Sequence, residues 1–195
     1  MDIEAILRDA GALREGHFLL SSGRHSDRYI EKFALLMRPR DTEAICRQIA
    51  AQFADAGIET VAGPTTGGIL LAFEVGRQLG TRAVYAERVE GGPGREFRRG
   101  ATFRPGERVL VVDDILTTGG SIRETLAALA AWRVAVAGVA VLVDRSGGRV
   151  DFGVPLAPVL RLDIATFAPD DCPLCRADVP LVKPGTTIAP GSYER

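Results

Sequence analysis

The run Val109-Leu110-Val111-Val112-Asp113-Asp114-Ile115-Leu116-Thr117-Thr118-Gly119-Gly120-Ser121-Ile122 constrains this chain more than any other stretch. Four consecutive aliphatic residues, three of them β-branched, predict a strand buried on both sides, with helices packed above and below it. Two adjacent carboxylates then stand at its C-terminal end, where open α/β sheets place their ligands. Thr-Thr-Gly-Gly-Ser leads from there into the helical pattern Ile122-Arg123-Glu124-Thr125-Leu126. Small residues let backbone N–H groups converge, hydroxyls add donors, and the helix N-terminus carries partial positive charge. The order predicts a phosphate cradle beside two hydroxyl acceptors, which suits a phosphorylated sugar. The plainer alternative is a strand-turn-helix with incidental acidic residues.

Other phosphate loops are excluded by pattern. No Gly-x-x-x-x-Gly-Lys-Ser/Thr occurs, and no Gly-x-Gly-x-x-Gly follows a strand, so P-loop and dinucleotide sites lack their fingerprints. At 195 residues the chain fits one domain with a full core. A hydrophobic fraction of 46% with 25% charged residues is that of an ordinary globular protein. The net charge of −1 argues against a nucleic-acid footprint. Only Lys32 and Lys183 are lysines, so arginine supplies nearly all the basic charge. No apolar run approaches a membrane span and the N-terminus lacks a basic-then-apolar signal, so a cytoplasmic location away from membranes is expected.

The chain divides into an N-terminal segment (1–40), a core (41–150) and a C-terminal segment (151–195). Asp2 is expected to cap a first helix ending at Gly11, and Asp41 a second, with Ile45, Ile49, Phe53 and Ala56 at helical spacing before Gly57. The polar stretch Leu20 to Tyr29 between them predicts a hairpin or extended excursion. Strands at Val61-Ala62, 82–86, 108–113 and 134–143 alternate with helices at 68–79 and 121–132. That alternation means an α/β fold, a doubly wound parallel sheet with right-handed crossovers. Glu87 to Glu107 interrupts it with Gly91, Gly92, Gly94, Gly100 and five arginines, the composition of a mobile functional loop. After residue 150 prolines multiply, from Pro155 to Pro190, and this segment is expected to join the first forty residues as a small hood over the sheet.

Cys46, Cys172 and Cys175 make no disulfide framework. Cys172-Pro173-Leu174-Cys175 is a single Cys-x-x-Cys, with no second pair or paired histidines nearby in sequence to complete a four-ligand zinc site. Packing is the expected role; a metal shared between subunits and redox chemistry are the alternatives. His17 and His25 have no evident base partner and are expected to be structural or substrate-adjacent.

The 109–122 run resembles the 5-phosphoribosyl-1-pyrophosphate (PRPP) signature of type I phosphoribosyltransferases. Gly16-His17-Phe18-Leu19-Leu20-Ser21-Ser22-Gly23-Arg24-His25-Ser26, Gly63-Pro64-Thr65-Thr66-Gly67-Gly68 and Asp144-Arg145 extend the resemblance to orotate phosphoribosyltransferases over nearly the whole chain. Arg98-Arg99-Gly100 and Lys183-Pro184-Gly185 are similar to a bacterial subset. The resemblance implies that Asp113 and Asp114 hold the ribose hydroxyls and that Thr117, Thr118, Gly119, Gly120 and Ser121 take the 5-phosphate. Thr65, Thr66 and Gly67 would hold pyrophosphate in a loop that often carries a non-proline cis peptide. Arg145 would bind the orotate carboxylate, with Thr117 and Ser21 beside it, because a planar guanidinium suits two carboxylate oxygens. Asp113, Asp114 and Arg88 would be the catalytic residues. Mg²⁺ is implied as a cofactor carried mainly by PRPP and water, along with a homodimer whose mobile loop covers the neighbour's site.

The chain also departs from the family pattern. Members commonly carry lysines where it has Ser21 and Gly67, and a Lys- and His-rich loop where it offers Arg88, Arg95, Arg98 and Arg99. Arginine neutralises pyrophosphate but cannot give up a proton at working pH. The rival readings are a purine or uracil phosphoribosyltransferase and a non-catalytic PRPP-sensing regulator.

Overall fold

The computed structural model describes residues 1–184, so Gly185 of the Lys-Pro-Gly motif, Pro190 and the rest of the C-terminal segment lie outside the described residues. The chain opens with α1 (Ile3–Asp9), capped as expected by the Asp2 carboxylate, which accepts from the Ala5 amide at 3.0 Å. The polar stretch then forms a hairpin of β1 (Leu13–Leu19) and β2 (His25–Ile30). A short helix unforeseen in the sequence, α2 (Lys32–Leu36), leads into α3 (Pro39–Gln52). Asp41 does not cap α3. The helix starts earlier because Pro39 presets its first turn, which leaves Asp41 inside that turn, paired with Arg38 at 2.6 Å.

The alternating region follows in order: β3 (Thr60–Pro64), α4 (Gly67–Leu79), β4 (Arg82–Arg88), β5 (Arg95–Phe97), β6 (Arg108–Leu116), α5 (Gly120–Ala130) and β7 (Ala135–Asp144). The last elements are β8 (Leu156–Arg161), β9 (Thr166–Phe167) and α6 (Pro173–Arg176). The central sheet runs β5-β4-β3-β6-β7-β8, parallel except for β5, which turns back along β4. β8 completes this sheet, so the covering part of the C-terminal segment begins only after Arg161.

Both faces are covered, as the aliphatic β6 requires. On one side Leu110 and Val112 pack with Ile45, Ile49, Leu71 and Val75 of α3 and α4. On the other, Val109 and Val111 pack with Ile122 and Leu129 of α5. Truncating a fully buried member such as Leu110 to Ala costs roughly 2–5 kcal/mol. Val61, Val109 and Val111 show no exposed surface at all.

The connection from β3 runs through α4 to β4 on one flank of the sheet, and that from β6 runs through α5 to β7 on the other. The winding therefore reverses between the adjacent strands β3 and β6. That reversal opens a crevice at their C-terminal ends, where sheets of this type bind ligands. Above it β1, β2 and β9 form a separate antiparallel sheet, the expected hood, tied to the C-terminal segment by a bridge from Phe18 to Val182. No helix among the described residues is long and apolar enough to cross a membrane.

Candidate active site

β6 runs past the acidic pair to Leu116 because β7 pairs with it that far, Leu116 opposite Asp144. Asp113 and Asp114 therefore stand inside the strand, and its alternation sends their side chains to opposite faces. On the α5 side, Asp113 accepts from the Ser121 hydroxyl at 2.6 Å and the Asp114 amide at 2.8 Å. Burial, with the neighbouring Asp114 charge, raises the Asp113 carboxyl to about 6. On the α4 side, Asp114 accepts from the Ile115 amide at 2.7 Å and pairs with Lys32 Nζ at 2.8 Å. Sequence reasoning passed over Lys32. Its only signal was that lysine is otherwise nearly absent from the chain.

Two glycines are set by close approach. A Cβ on Gly67 would lie 2.0 Å from Asp114 Oδ2. Gly119 opens α5 at φ 79°, and a Cβ there would strike the Phe152 ring at 2.9 Å. Between them lie the two candidate phosphate loops. Thr65-Thr66 carries a non-proline cis peptide bond, as the resemblance implied. Thr117, Thr118 and Gly120 are exposed at the mouth of the crevice. α5 has no side-chain cap, so its first-turn amides are left open to an anion.

The glycine-rich insert, expected as a mobile functional loop, contains regular structure. Its first half is the β4–β5 hairpin, and Phe97 stacks edge-on against Phe103 with centroids 4.9 Å apart. Arg95 has a side chain only 3% exposed. It donates to Thr65 Oγ1 at 2.9 Å and to the Ala86 carbonyl at 3.1 Å, and its Nε lies 3.2 Å from Glu124. Arg95 thus braces the cis-peptide loop from beneath. Arg98 is engaged by Glu96, and Arg99 by Glu87 at 3.0 Å. Arg88 ends β4 exposed and outside these pairs.

Where hood meets sheet, Ser21, Arg24, Tyr29, Thr117, Thr118 and Arg145 line a cavity of about 590 Å³. Arg24 is held by Thr166, through its hydroxyl at 3.0 Å and its carbonyl at 2.7 Å. Arg145 follows β7, and its Nε is buried without a hydrogen-bond partner among the described residues. Burial pushes its guanidinium below the usual arginine range. The neighbouring Asp144 offers it nothing, since that carboxylate bonds the Ser146 amide at 2.8 Å and faces Arg161. A desolvated, unpartnered cation at the wall of a cavity is a receptor for a planar anion.

A family model described as the phosphoribosyl transferase domain matches residues 38–163. The orotate phosphoribosyltransferase of Pelotomaculum thermopropionicum is 48% identical over 185 residues, covering 95% of this chain and 96% of the relative. The chain belongs to the orotate phosphoribosyltransferase family. The enzyme of that name from Thermotoga maritima is 44% identical over 94% of this chain and 97% of its own. Among solved structures, orotate phosphoribosyltransferase from Aeropyrum pernix superimposes with a TM-score of 0.69 at 31% identity, covering 83% of this chain and 94% of that one.

The hood cavity of this chain is not lined by the histidines. His17 and His25 lie buried against Cys172 and Cys175, so the paired histidines that are not near the Cys-x-x-Cys in sequence are near it in space. Folding, not sequence spacing, makes them neighbours.

Proposed function

We propose that this enzyme transfers the 5-phosphoribosyl group of PRPP to N1 of orotate, giving orotidine 5-phosphate and pyrophosphate. The buried, unpartnered Arg145 Nε at the wall of the hood cavity carries the assignment, because orotate brings the carboxylate it lacks and neutral bases do not. Ser21 and Thr117 flank the same cavity and would receive the pyrimidine edge.

The 5-phosphate rests on Thr117 to Ser121 and the open amides of α5. The ribose hydroxyls meet Asp113 and Asp114, which approach from the two faces of β6. Pyrophosphate lies over Thr65, Thr66 and Gly67, with Arg88 closing from the hairpin. As the bond from C1 to pyrophosphate breaks, positive charge grows on the ribosyl ring and the two carboxylates stabilise it. N1 of orotate, held by Arg145, then attacks from the opposite face, and the proton it gives up leaves on the pyrophosphate. Catalysis is positioning and preorganised charge, without a covalent intermediate on the enzyme.

Mg²⁺ fits this site only as a substrate-borne ion. Each carboxylate already spends one oxygen on a backbone amide and the other on Ser121 or Lys32, and the two face opposite ways, so they form no protein cage. Bound with PRPP, it would neutralise the departing pyrophosphate. Asp113 and Asp114 would hold it through ribose oxygens and water.

A homodimer belongs to the same proposal. Phe33 and Met37 around α2 and Leu70 and Phe73 on α4 expose apolar side chains, Phe73 at 67% and Met37 at 74%. The hairpin bearing Arg88 would reach the neighbour's site, and the enzyme would work in the cytoplasm. Pyrophosphate release with orotate, compared with adenine, hypoxanthine and uracil, tests the substrate assignment. Release with a neutral base and none with orotate would overturn it.

A further inference from the structure

We propose that His17, His25, Cys172 and Cys175 form a tetrahedral metal site, best suited to Zn²⁺, that clasps the hood outside the catalytic crevice. Their ligand atoms all lie within 4.8 Å of one another. His17 Nε2 is 2.9 Å from His25 Nδ1, 3.4 Å from Cys172 Sγ and 3.7 Å from Cys175 Sγ, and His25 Nδ1 is 3.3 Å from Cys175 Sγ. Zinc binds nitrogen at about 2.0–2.1 Å and sulfur at about 2.3 Å, so a tetrahedron sets N and S about 3.6 Å apart and two nitrogens about 3.4 Å apart. The three nitrogen–sulfur separations given lie within a few tenths of an ångström of that value, while the two nitrogens stand closer and would part slightly around an ion.

The local structure explains the convergence. Leu19 pairs with His25 across the hairpin, and His17 lies two residues before Leu19, in the bulge between Glu15 and Phe18 where the register shifts. Cys172 precedes α6, Pro173 starts that turn, and Cys175 comes round to the same side three residues on. His17 Nδ1 lies 2.8 Å from the Val179 carbonyl. A proton there leaves Nε2 with its lone pair toward the cluster, the backing that metal-bound histidines usually have. Val182 N to the His17 carbonyl and Leu19 N to the Val182 carbonyl, both 2.8 Å, hold the same two segments together.

Energetics favour an ion here. Two thiolates cancel the dication, so the filled site buries no net charge, and a Cys₂His₂ set selects zinc over harder cations. His17, His25 and Cys172 are buried, and Cys175 gives the exposed side by which a metal enters. The set has no open coordination position, so its role is structural. It joins the hairpin that carries Ser21 and Arg24 to the C-terminal segment.

Full-length, untagged protein purified without added metal should contain about one zinc per chain by elemental mass spectrometry. Stripped by chelator and titrated with Co²⁺, it should develop the strong visible bands of tetrahedral cobalt and a thiolate charge-transfer band, saturating at about one equivalent. Asp114→Asn should keep this spectrum, which separates the site from the catalytic crevice, whereas Cys175→Ser should lose the bands or weaken them at least tenfold. Should Cys175→Ser fail to fold, alkylation of wild-type protein answers the same question: zinc should slow modification of Cys175 at least tenfold. Metal-free protein as purified together with no tetrahedral cobalt spectrum, a Cys172–Cys175 disulfide under reducing conditions, or an unchanged spectrum in Cys175→Ser would each overturn the proposal.

Discussion

Replacing Arg145 with alanine should separate the two substrates. The guanidinium is half-buried, it lines the hood cavity, and its Nε has no hydrogen-bond partner among the described residues, so little in the described fold depends on it. With orotate bound, removal leaves a carboxylate unpaired in a closed site, at a cost on the order of 2–4 kcal/mol. At about 1.36 kcal/mol per factor of ten, that is roughly 30- to 900-fold in kcat/KM for orotate. The proposed PRPP contacts lie on Thr65 to Gly67, Asp113, Asp114 and Thr117 to Ser121, so PRPP binding, followed by calorimetry, should change less than about threefold, or ~0.7 kcal/mol. Arg145→Lys keeps the charge but loses the two-oxygen fork, and should fall between wild type and alanine. The melting temperature should hold or rise, because the change removes a desolvated charge without breaking an internal hydrogen bond. Equal loss for both substrates, or an unfolded variant, would refute the assignment.

Asp114→Asn should keep the fold and lower kcat at least about tenfold, ~1.4 kcal/mol of transition-state stabilisation; unchanged kcat with only a higher KM for PRPP would reduce it to a ground-state contact. Asp113 has a folded-state carboxyl raised to about 6 from 3.8, so its protonation stabilises the fold below about pH 4 and that contribution is lost as pH rises through 6. Asp113→Asn should therefore raise the melting temperature more at pH 8 than at pH 5, and a gain independent of pH would contradict burial as the cause. Lys32→Met leaves Asp114 buried beside no cation and should weaken PRPP binding while sparing orotate; normal PRPP affinity would show that the pair is dispensable. A mixed dimer of Arg88→Ala and Asp114→Asn chains should recover one good site if the hairpin serves its neighbour, and verified heterodimers without recovery would place Arg88 in its own subunit's site or outside catalysis.

The sheet was legible because its signals are local. Val109 to Val112 must be covered on both faces, and Gly119-Gly120-Ser121 can open a helix, whatever the rest of the chain does. The misses share a different character. α3 starts two residues before Asp41 because Pro39 outweighs a capping carboxylate, and β6 outruns its aliphatic run because β7 is there to pair with it. Arg95 read as one more loop arginine, yet it is buried under Thr65, thirty residues away in sequence. His17 and Cys172 stand 155 residues apart, and only the pairing of the hood with the C-terminal segment brings them within 3.4 Å.

The departures of this chain from its family are coupled in space. The family pattern that the sequence resembles has a lysine where Gly67 stands. Here the backbone at 67 approaches so closely that even a Cβ would collide with Asp114 Oδ2. The cation that this carboxylate meets comes from α2 instead, as Lys32 at 2.8 Å. A side chain at 67 and a lysine at 32 compete for one oxygen, so the glycine and the lysine form a single solution, and exchanging one alone leaves either a clash or a buried carboxylate without its cation. The hairpin repeats the theme: Arg95 braces the Thr65–Thr66 loop while Arg98 and Arg99 are spent on Glu96 and Glu87. Of the four loop arginines, Arg88 alone is both exposed and outside these ion pairs. If Arg88 meets pyrophosphate as proposed, an arginine with no lysine beside it in the hairpin would lower the barrier by charge and not by proton donation.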